Sequence, residues 1–283
     1  MSYGEHISFC NSYDPARAVP LFAGSERIGL VRRDNAAALA RFADVFAVER
    51  EAVRLLAPGG AGAVSEAVDR VVEALVEAGS IPKWRNETFD VMPRWGAAPI
   101  FRLDRGAVPF FGTRAYGVHV NGYRRKGAEL LLWIGRRAPD KMVDPDKLDN
   151  LVAGGIGSGY GVAETLVKEA GEEAGISPEL ARRAAPVGAL SYRMETPLGI
   201  RDDVLFAYDL ELPADFVPKN HDGELVEFTL IPVATVLERI RTTRDFKFNV
   251  NLIILDFAVR HGVLRPQDPE YLDVATGLHR RLD

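Results

Sequence analysis

Apolar residues recur along this chain with two different periods, and the change from one to the other divides it. Ile28–Val31 is a short apolar run that reads as a strand. Asp34 or Asn35 is then placed to cap an alanine-rich helix through Phe42, and Val45–Val48 reads as a second strand. After a Gly-Pro break at 57–62, Val64, Val68, Val71, Val72, Leu75 and Val76 recur at helical spacing up to Gly79. Residues 81–105 lose both periods. Prolines at 82, 93, 99 and 109 predict irregular or edge structure there, suited to a wall between two domains. From Gly117 the pattern turns to long β-type runs at Gly117–Tyr123, Glu129–Ile134, Val187–Met194, Val204–Leu212 and Glu224–Ile231. Two helices, Val233–Arg241 and Asn251–His261, follow, and a polar tail closes the chain. The pattern predicts an α/β chain with a small α+β N-terminal domain over 1–112 and a larger domain over 113–283.

Composition narrows the function classes. The 283 residues, 47% of them hydrophobic, suffice for one large or two modest cores. A formal net charge of −5 gives no general attraction for a polyphosphate backbone, so no nucleic-acid partner is expected, while small anionic ligands stay open. The single cysteine, Cys10, excludes an internal disulfide framework and a cysteine metal cluster and fits a reducing compartment. The first residues lack the basic flank and apolar run of a signal peptide, and no apolar segment approaches the roughly 20 residues that cross a bilayer. A cytoplasmic location without a membrane partner is the expectation.

The chemistry concentrates in one stretch, Gly154–Ile176. Four glycines at 154, 155, 157 and 159 run into a helical segment carrying Glu169, Glu172 and Glu173, which stops at Gly175. Offsets of three and four residues place those carboxylates on one helix face, where they repel one another. A divalent cation removes the repulsion, and hard oxygen ligands suit Mg²⁺ or Mn²⁺. The glycines of 154 and 155 let the backbone approach metal and phosphates closely. Lys168 can orient the carboxylates, although a Glu164–Lys168 pair at i,i+4 would serve the helix equally well. Further along, the Asn220–Gly223 turn presents Glu224, with Glu227 and Asp222 behind it, as a fourth carboxylate. Trp84 beside Arg85, or Trp95 beside Arg94, suits stacking on a flat ring, His119 and Asn121 share a strand face as substrate contacts, and Lys247 can hold a phosphate as a point charge. Packing of the tryptophans and a structural histidine are the plainer alternatives for these last residues.

Gly154–Ile176 resembles the Nudix box, G-x5-E-x7-R-E-U-x-E-E-x-G-U with U bulky and apolar. Gly154 opens it, and Lys168-Glu169-Ala170-Gly171-Glu172-Glu173-Ala174-Gly175-Ile176 closes it. Tyr160 stands where the pattern has its first glutamate, Lys168 where it has arginine, and Ala170 is small for its position. Trp84-Arg85-Asn86-Glu87, Phe111-Gly112, Lys147–Gly159, Asp209-Leu210 and Phe246–Asn249 extend the likeness to the subfamily with an extra N-terminal domain, related to the Nudix portion of fungal thiamine pyrophosphokinases. The resemblance implies a Nudix α/β/α sandwich with a mixed sheet behind the α+β domain. It also implies metal at Glu169, Glu172 and Glu173, with one of these or Glu224 as base, and homodimer formation common to many members. Tyr160 is then a tolerated variant, since the family's first glutamate usually supports the loop. The implied reaction is hydrolysis of thiamine diphosphate or its oxythiamine and oxothiamine analogues to the monophosphate and phosphate. ADP-ribose, a nucleotide sugar or a dinucleotide are alternative substrates, and a ligand sensor with a weakened box is the non-enzymatic alternative. An isopentenyl-diphosphate isomerase would need an active-site cysteine, and Cys10 lies far upstream.

Overall fold

The computed structural model describes residues 2–279. Its first part comprises α1 (Tyr3–Cys10), β1 (Ala18–Ala23), β2 (Glu26–Arg32), α2 (Arg33–Leu39), β3 (Phe46–Val48), β4 (Val53–Leu55), α3 (Ala61–Glu77), β5 (Thr88–Val91), β6 (Phe101–Asp104) and α4 (Val108–Phe111). The second comprises β7 (Arg114–Lys126), β8 (Glu129–Arg137), β9 (Leu148–Asn150), β10 (Val152–Gly155), α5 (Val162–Ala174), α6 (Pro178–Ala181), β11 (Ala185–Glu195), β12 (Ile200–Glu211) and β13 (Leu225–Pro232). The helices α7 (Val233–Thr242), α8 (Val250–Arg260) and α9 (Tyr271–Gly277) follow.

In the N-terminal body a four-stranded sheet of order β2-β1-β4-β3 packs against the apolar stripe of α3, where Val64, Val68, Val71, Val72 and Leu75 are buried. The proline-rich stretch expected to be irregular holds the antiparallel hairpin β5–β6, whose Phe89, Val91, Phe101 and Leu103 complete the same core. Its prolines fall outside both strands, where no ladder donor is lost. Asp34 and Asn35 do not cap α2, which has no side-chain cap at all. Asn35 is buried instead and gives its amide to the carbonyls of Phe110 (3.1 Å) and Leu198 (2.8 Å), fastening this body to the β11–β12 turn.

The C-terminal body is a mixed sheet of order β11-β12-β7-β8-β13, with β7 and β12 parallel, β10 on β7 and β9 on β8. One face buries Leu166, Ala170 and Ala174 of α5 against Val120, Leu151, Val152 and Leu210. The other buries α7 and α8 against Leu132, Leu190, Tyr192 and Leu205. This is the expected α/β/α sandwich.

Two expectations change here. The opening residues form α1, and its Tyr3, Ile7 and Cys10 are buried in the C-terminal core beside α8 and α9, so one part of the span expected to be the first domain belongs structurally to the second. The polar tail contains α9, which Val274 and Leu278 anchor in that same core. Both segments are too short and too mixed in polarity for periodicity to reveal, and tertiary burial decides them.

Candidate active site

The site forms where the hairpin of the N-terminal body meets the sheet of the C-terminal body, around a cavity of about 270 Å³. One wall is the Ala153–Gly155 end of β10, with Glu224 also in the lining, and α5 packs against that strand. Gly161 begins the helix, and Glu164 returns its Oε2 to the Gly161 N–H at 2.9 Å, so this carboxylate closes the first turn and does not pair with Lys168. Gly175, at φ 63°, ends it in the left-handed conformation that glycine adopts freely. Gly154 and Gly155 close β10 as strand residues, not as part of a loop. Their missing side chains are a steric need: a Cβ on Gly154 would stand 2.8 Å from Glu169 Oε2, and one on Gly155 would stand 2.6 Å from Cζ of Phe89.

The three helix carboxylates do different things. Glu173 is buried at 4% exposure, and its Oε2 accepts the Ala153 N–H at 2.7 Å. Burial pushes its pKa well above the usual carboxylate range, that N–H offsets only part, and Asp149, Glu169 and Glu224 add repulsion. Glu169 lies along Gly154, raised likewise by burial, relieved by Lys168 and repelled by Glu172 and Glu224. Glu172 stays toward solvent, where Lys168 Nζ reaches it at 2.7 Å and Glu169 at 3.1 Å. For Lys168, burial is outweighed by these two hydrogen bonds, which raise its pKa. Glu224 is held by Lys141 at 2.7 Å; burial acts to raise its pKa, but Lys141, Arg105 and Arg137 bring it below the usual value. Glu169, Glu173 and Glu224 thus share one field, with Glu172 at its rim. Among the described residues no three Asp, Glu, His or Cys side chains are grouped so as to hold a metal ion in this arrangement.

The facing wall is basic. Arg85 and Arg105 flank the hairpin and line the cavity with Glu87 and Phe89, and Arg105 Nη1 meets Glu87 Oε2 at 2.7 Å. Asp104, fully buried, accepts the N–H groups of Arg85, Asn86 and Gly106, which fixes the loop bearing Arg85. Burial and the neighbouring Arg105 lower the Arg85 pKa. Of the two tryptophans expected to offer a ring to the ligand, Trp84 packs against the N-terminal core. Trp95 is the exposed tryptophan, with its ring 4.5 Å from that of Tyr116 and 4.8 Å from that of Phe206. It borders a side cavity of about 130 Å³ with Met92, Tyr160 and Asp90. Phe89, Ala115 and Tyr116 line both cavities. Tyr160, at the position where a glutamate was expected, is 53% exposed there and not among the helix carboxylates.

Lys247 lines the main cavity, but its Nζ is 3.2 Å from the buried Asp149, which also receives Arg137 at 2.8 Å. His119 lines the cavity as well. Asn121 does not: it is buried at 1% exposure inside the sheet, because β7 carries it past the cavity toward Asp209. Arg105, Arg137, Lys141, Arg201 and Asp203, none of them singled out by pattern, line the cavity too, as does Asn249 of the Phe246–Asn249 stretch. The signal for two of them was present: Arg201-Asp202-Asp203 puts three charges at the head of an apolar strand. In the fold Arg201 Nη1 meets Asp203 Oδ2 at 3.3 Å, and Asp203 also accepts the hydroxyl of the buried Tyr192.

Comparison with known proteins agrees with this architecture. Residues 113–250 match the NUDIX domain, and residues 3–115 match a domain of unknown function, DUF4743. Nudix hydrolase 24, chloroplastic, and Nudix hydrolase 20, chloroplastic, both of Arabidopsis thaliana, are each 49% identical to the chain over 77% of its length. The chain spans 59% and 58% of those two relatives. A solved structure, DR0079 from Deinococcus radiodurans, aligns with 59% of this chain and 97% of its own at 22% identity and a TM-score of 0.46. The chain carries a NUDIX domain behind a DUF4743 domain.

Proposed function

We propose that this NUDIX-domain protein is a metal-dependent diphosphate hydrolase acting on thiamine diphosphate or its oxythiamine and oxothiamine analogues, which it converts to the monophosphate and phosphate. The observation that carries the reading is the meeting of Glu224 with Arg85 and Arg105 in one cavity, whose Ala153 and Gly154 lining is touched from behind by Glu173 and Glu169, with an aromatic side cavity beside it. A diphosphate has the charge for the basic wall, and a flat heterocycle suits the rings of Trp95 and Tyr116.

The chemistry of the three α5 carboxylates suits a hard divalent cation, although these side chains are not gathered around one point. Glu173 is a buried carboxylate that accepts the Ala153 N–H and is surrounded by further carboxylates, an arrangement that a cation would relieve. Glu169, Glu172 and Glu173 would hold Mg²⁺ or Mn²⁺, with Lys168 giving up its present contact to Glu172. When bound, the ion supplies charge neutralisation at the phosphoryl oxygens and lowers the pKa of water. The chain's own residues do the rest. Arg85 and Arg105 hold the phosphate oxygens, and Glu224, kept ionised by Lys141 and its arginine neighbours, accepts the proton of the attacking water. Phe89 and the glycine strand exclude bulk water from one side.

Release of product from a panel of diphosphates tests the reading, with orthophosphate read for thiamine diphosphate and its oxythiamine and oxothiamine analogues and the two phosphomonoesters read for ADP-ribose and a nucleotide sugar. The expected result is release that depends on Mg²⁺ or Mn²⁺, is abolished by chelator and is fastest with an oxidised thiamine analogue. Fastest release from ADP-ribose would move the substrate to the nucleotide class, and absence of metal-dependent release from every compound would sink the hydrolase reading.

A further inference from the structure

A continuous chain of buried polar side chains crosses the sheet from the surface of α8 to the cavity. Asp209 on β12 receives Arg260 at 2.6 and 3.1 Å and His261 at 2.8 Å. Its Oδ1 also accepts the Asn121 amide at 3.0 Å. Asn121 Oδ1 accepts the Asn150 amide at 3.1 Å, and Asn150 Oδ1 is 2.8 Å from His119 Nδ1. Asp209 is 7% exposed, and the other three are at 3% or less.

The direction of every bond in this chain is set at one end. An ionised carboxylate only accepts hydrogen bonds. Burial acts to raise the Asp209 pKa, but Arg260, His261 and Asn121 bring it below the usual carboxylate value, so the group is ionised at neutral pH. Asn121 must therefore turn its NH₂ to Asp209 and its carbonyl to Asn150. Asn150 must turn its NH₂ to Asn121, which leaves its carbonyl against His119. The only group that can satisfy that carbonyl is an Nδ1–H. Reversing the imidazole would require both amides to flip and would set the Asn121 carbonyl oxygen against the Asp209 carboxylate. That exchanges a hydrogen bond to a charged group, worth about 1.5–3 kcal/mol, for a repulsion.

His119 lines the cavity, beside the Ala153–Gly155 end of β10 with which β7 pairs. We propose that His119 is a specificity-determining residue whose Nε2 is a fixed hydrogen-bond acceptor in the cavity, selecting a ligand that presents an N–H or O–H there. Asn150, Asn121 and Asp209 are positioning residues that fix its tautomer. The ring is neutral: burial holds its pKa at about 4, with Lys247 and Arg137 lowering it further and Asp149 and the Asn150 bond opposing. A neutral lone pair repels phosphate oxygens. The remaining cationic lining, Arg85, Arg105, Lys141 and Arg201, suits the phosphates, so Nε2 is left for an amino or hydroxyl group of the organic moiety. The ligand half of this inference rests on the cavity being the substrate site; the tautomer half does not.

Nitrogen-15 NMR of the full chain reads the tautomer directly, without turnover. A neutral ring protonated at Nδ1 throughout pH 5–8 is expected, and an Nε2–H tautomer or an imidazolium would overturn the assignment. In Asp209→Asn the terminal group can donate or accept, so a mixture of the two tautomers is expected; retention of the wild-type spectrum would show that the chain does not set the ring. The wild-type spectrum decides the point even if that variant fails to fold. For the ligand half, calorimetric affinities are compared for thiamine diphosphate, which carries an amino group, and for inorganic pyrophosphate. His119→Leu is expected to weaken the first by about 3- to 10-fold, the worth of one neutral hydrogen bond, and to leave the second unchanged. Equal weakening of both would overturn the acceptor role while the tautomer result stands, and neither outcome depends on hydrolysis.

Discussion

The two walls of the cavity handle charge in opposite ways. On the basic wall, Arg105 is paired with Glu87 and Asp104 organises the loop of Arg85, so each charge has a nearby counter-charge or hydrogen-bond network. On the acidic wall, Glu173 is buried with one N–H and three carboxylate neighbours. A wall built for stability alone would not keep that arrangement, because a neutral side chain of the same shape removes the repulsion without loss of packing. The basic wall has its counter-charges within the fold, whereas Glu173 has none beside it.

The difference can be broken at either wall. Glu173→Gln keeps the shape and the Ala153 contact while removing the charge. Metal-dependent phosphate release should fall by about 10²–10³-fold, the scale at which one electrostatic contact to the transition state is lost. The melting temperature should stay level or rise, because a buried, poorly compensated charge has been removed. Unchanged turnover would take Glu173 out of the metal assignment. On the opposite wall, Arg105→Ala should raise KM about tenfold with little change in kcat, the pattern of a residue that binds substrate and transition state alike. A fall in kcat with KM unchanged would instead move Arg105 to the transition state.

Trp95→Ala sharpens the comparison by testing what lies beside the walls. A stacked ring is worth roughly 1–3 kcal/mol, and the exposure of Trp95 points to the lower end. Affinity for thiamine diphosphate should drop about fivefold relative to inorganic pyrophosphate. Equal losses for both compounds would deny the side cavity a role in ring binding.

The smallest effect is expected away from both walls, where α1 joins the C-terminal core. His6 is buried, with Nε2 2.8 Å from the Ile240 carbonyl and Nδ1 3.0 Å from Asn251. Burial lowers its pKa below 6.5, and the Ile240 bond opposes this. The unfolded chain therefore binds the proton more readily. The stabilisation is fully present above pH 6.5 and is lost as pH falls through the folded pKa. Urea unfolding from pH 7.5 to pH 5 should show stability declining toward acid, with a shallower decline in His6→Gln. An identical decline in the variant would assign it to other groups.

Most of the strand and helix order was legible because the long elements have one buried face: α3, β7, β8, β11, β12, β13, α7 and α8 all lie over residues whose periodicity announced them. The hairpin β5–β6, α1 and α9 were not legible, since four to eight residues carry too little periodic signal and their burial comes from distant partners. At the site, the glutamates of α5, Glu224, Arg85 and the paired glycines could be picked out by residue type and spacing. Trp84 and Asn121 were singled out by type as well, yet one packs in the N-terminal core and the other is buried in the sheet. Arg105, Arg137, Lys141 and Arg201 carry no motif, and they line the cavity because three different strands and a loop end there.

By itself the sequence determined what is local: which face of α5 carries carboxylates, where glycine lets backbone and side chain meet, and that one cysteine forms no internal disulfide framework. Helix period and strand alternation are properties of neighbouring residues, so they can be read along the chain. Only the tertiary structure decided which charges share a cavity and which are spent on one another. It set Glu173 apart from Glu172, brought the arginines of residues 85 and 105 into one cavity with Glu224, and tied His119 to Asp209 through two asparagines. Burial and Coulomb interaction depend on distances between segments far apart in the chain, and folding alone fixes those.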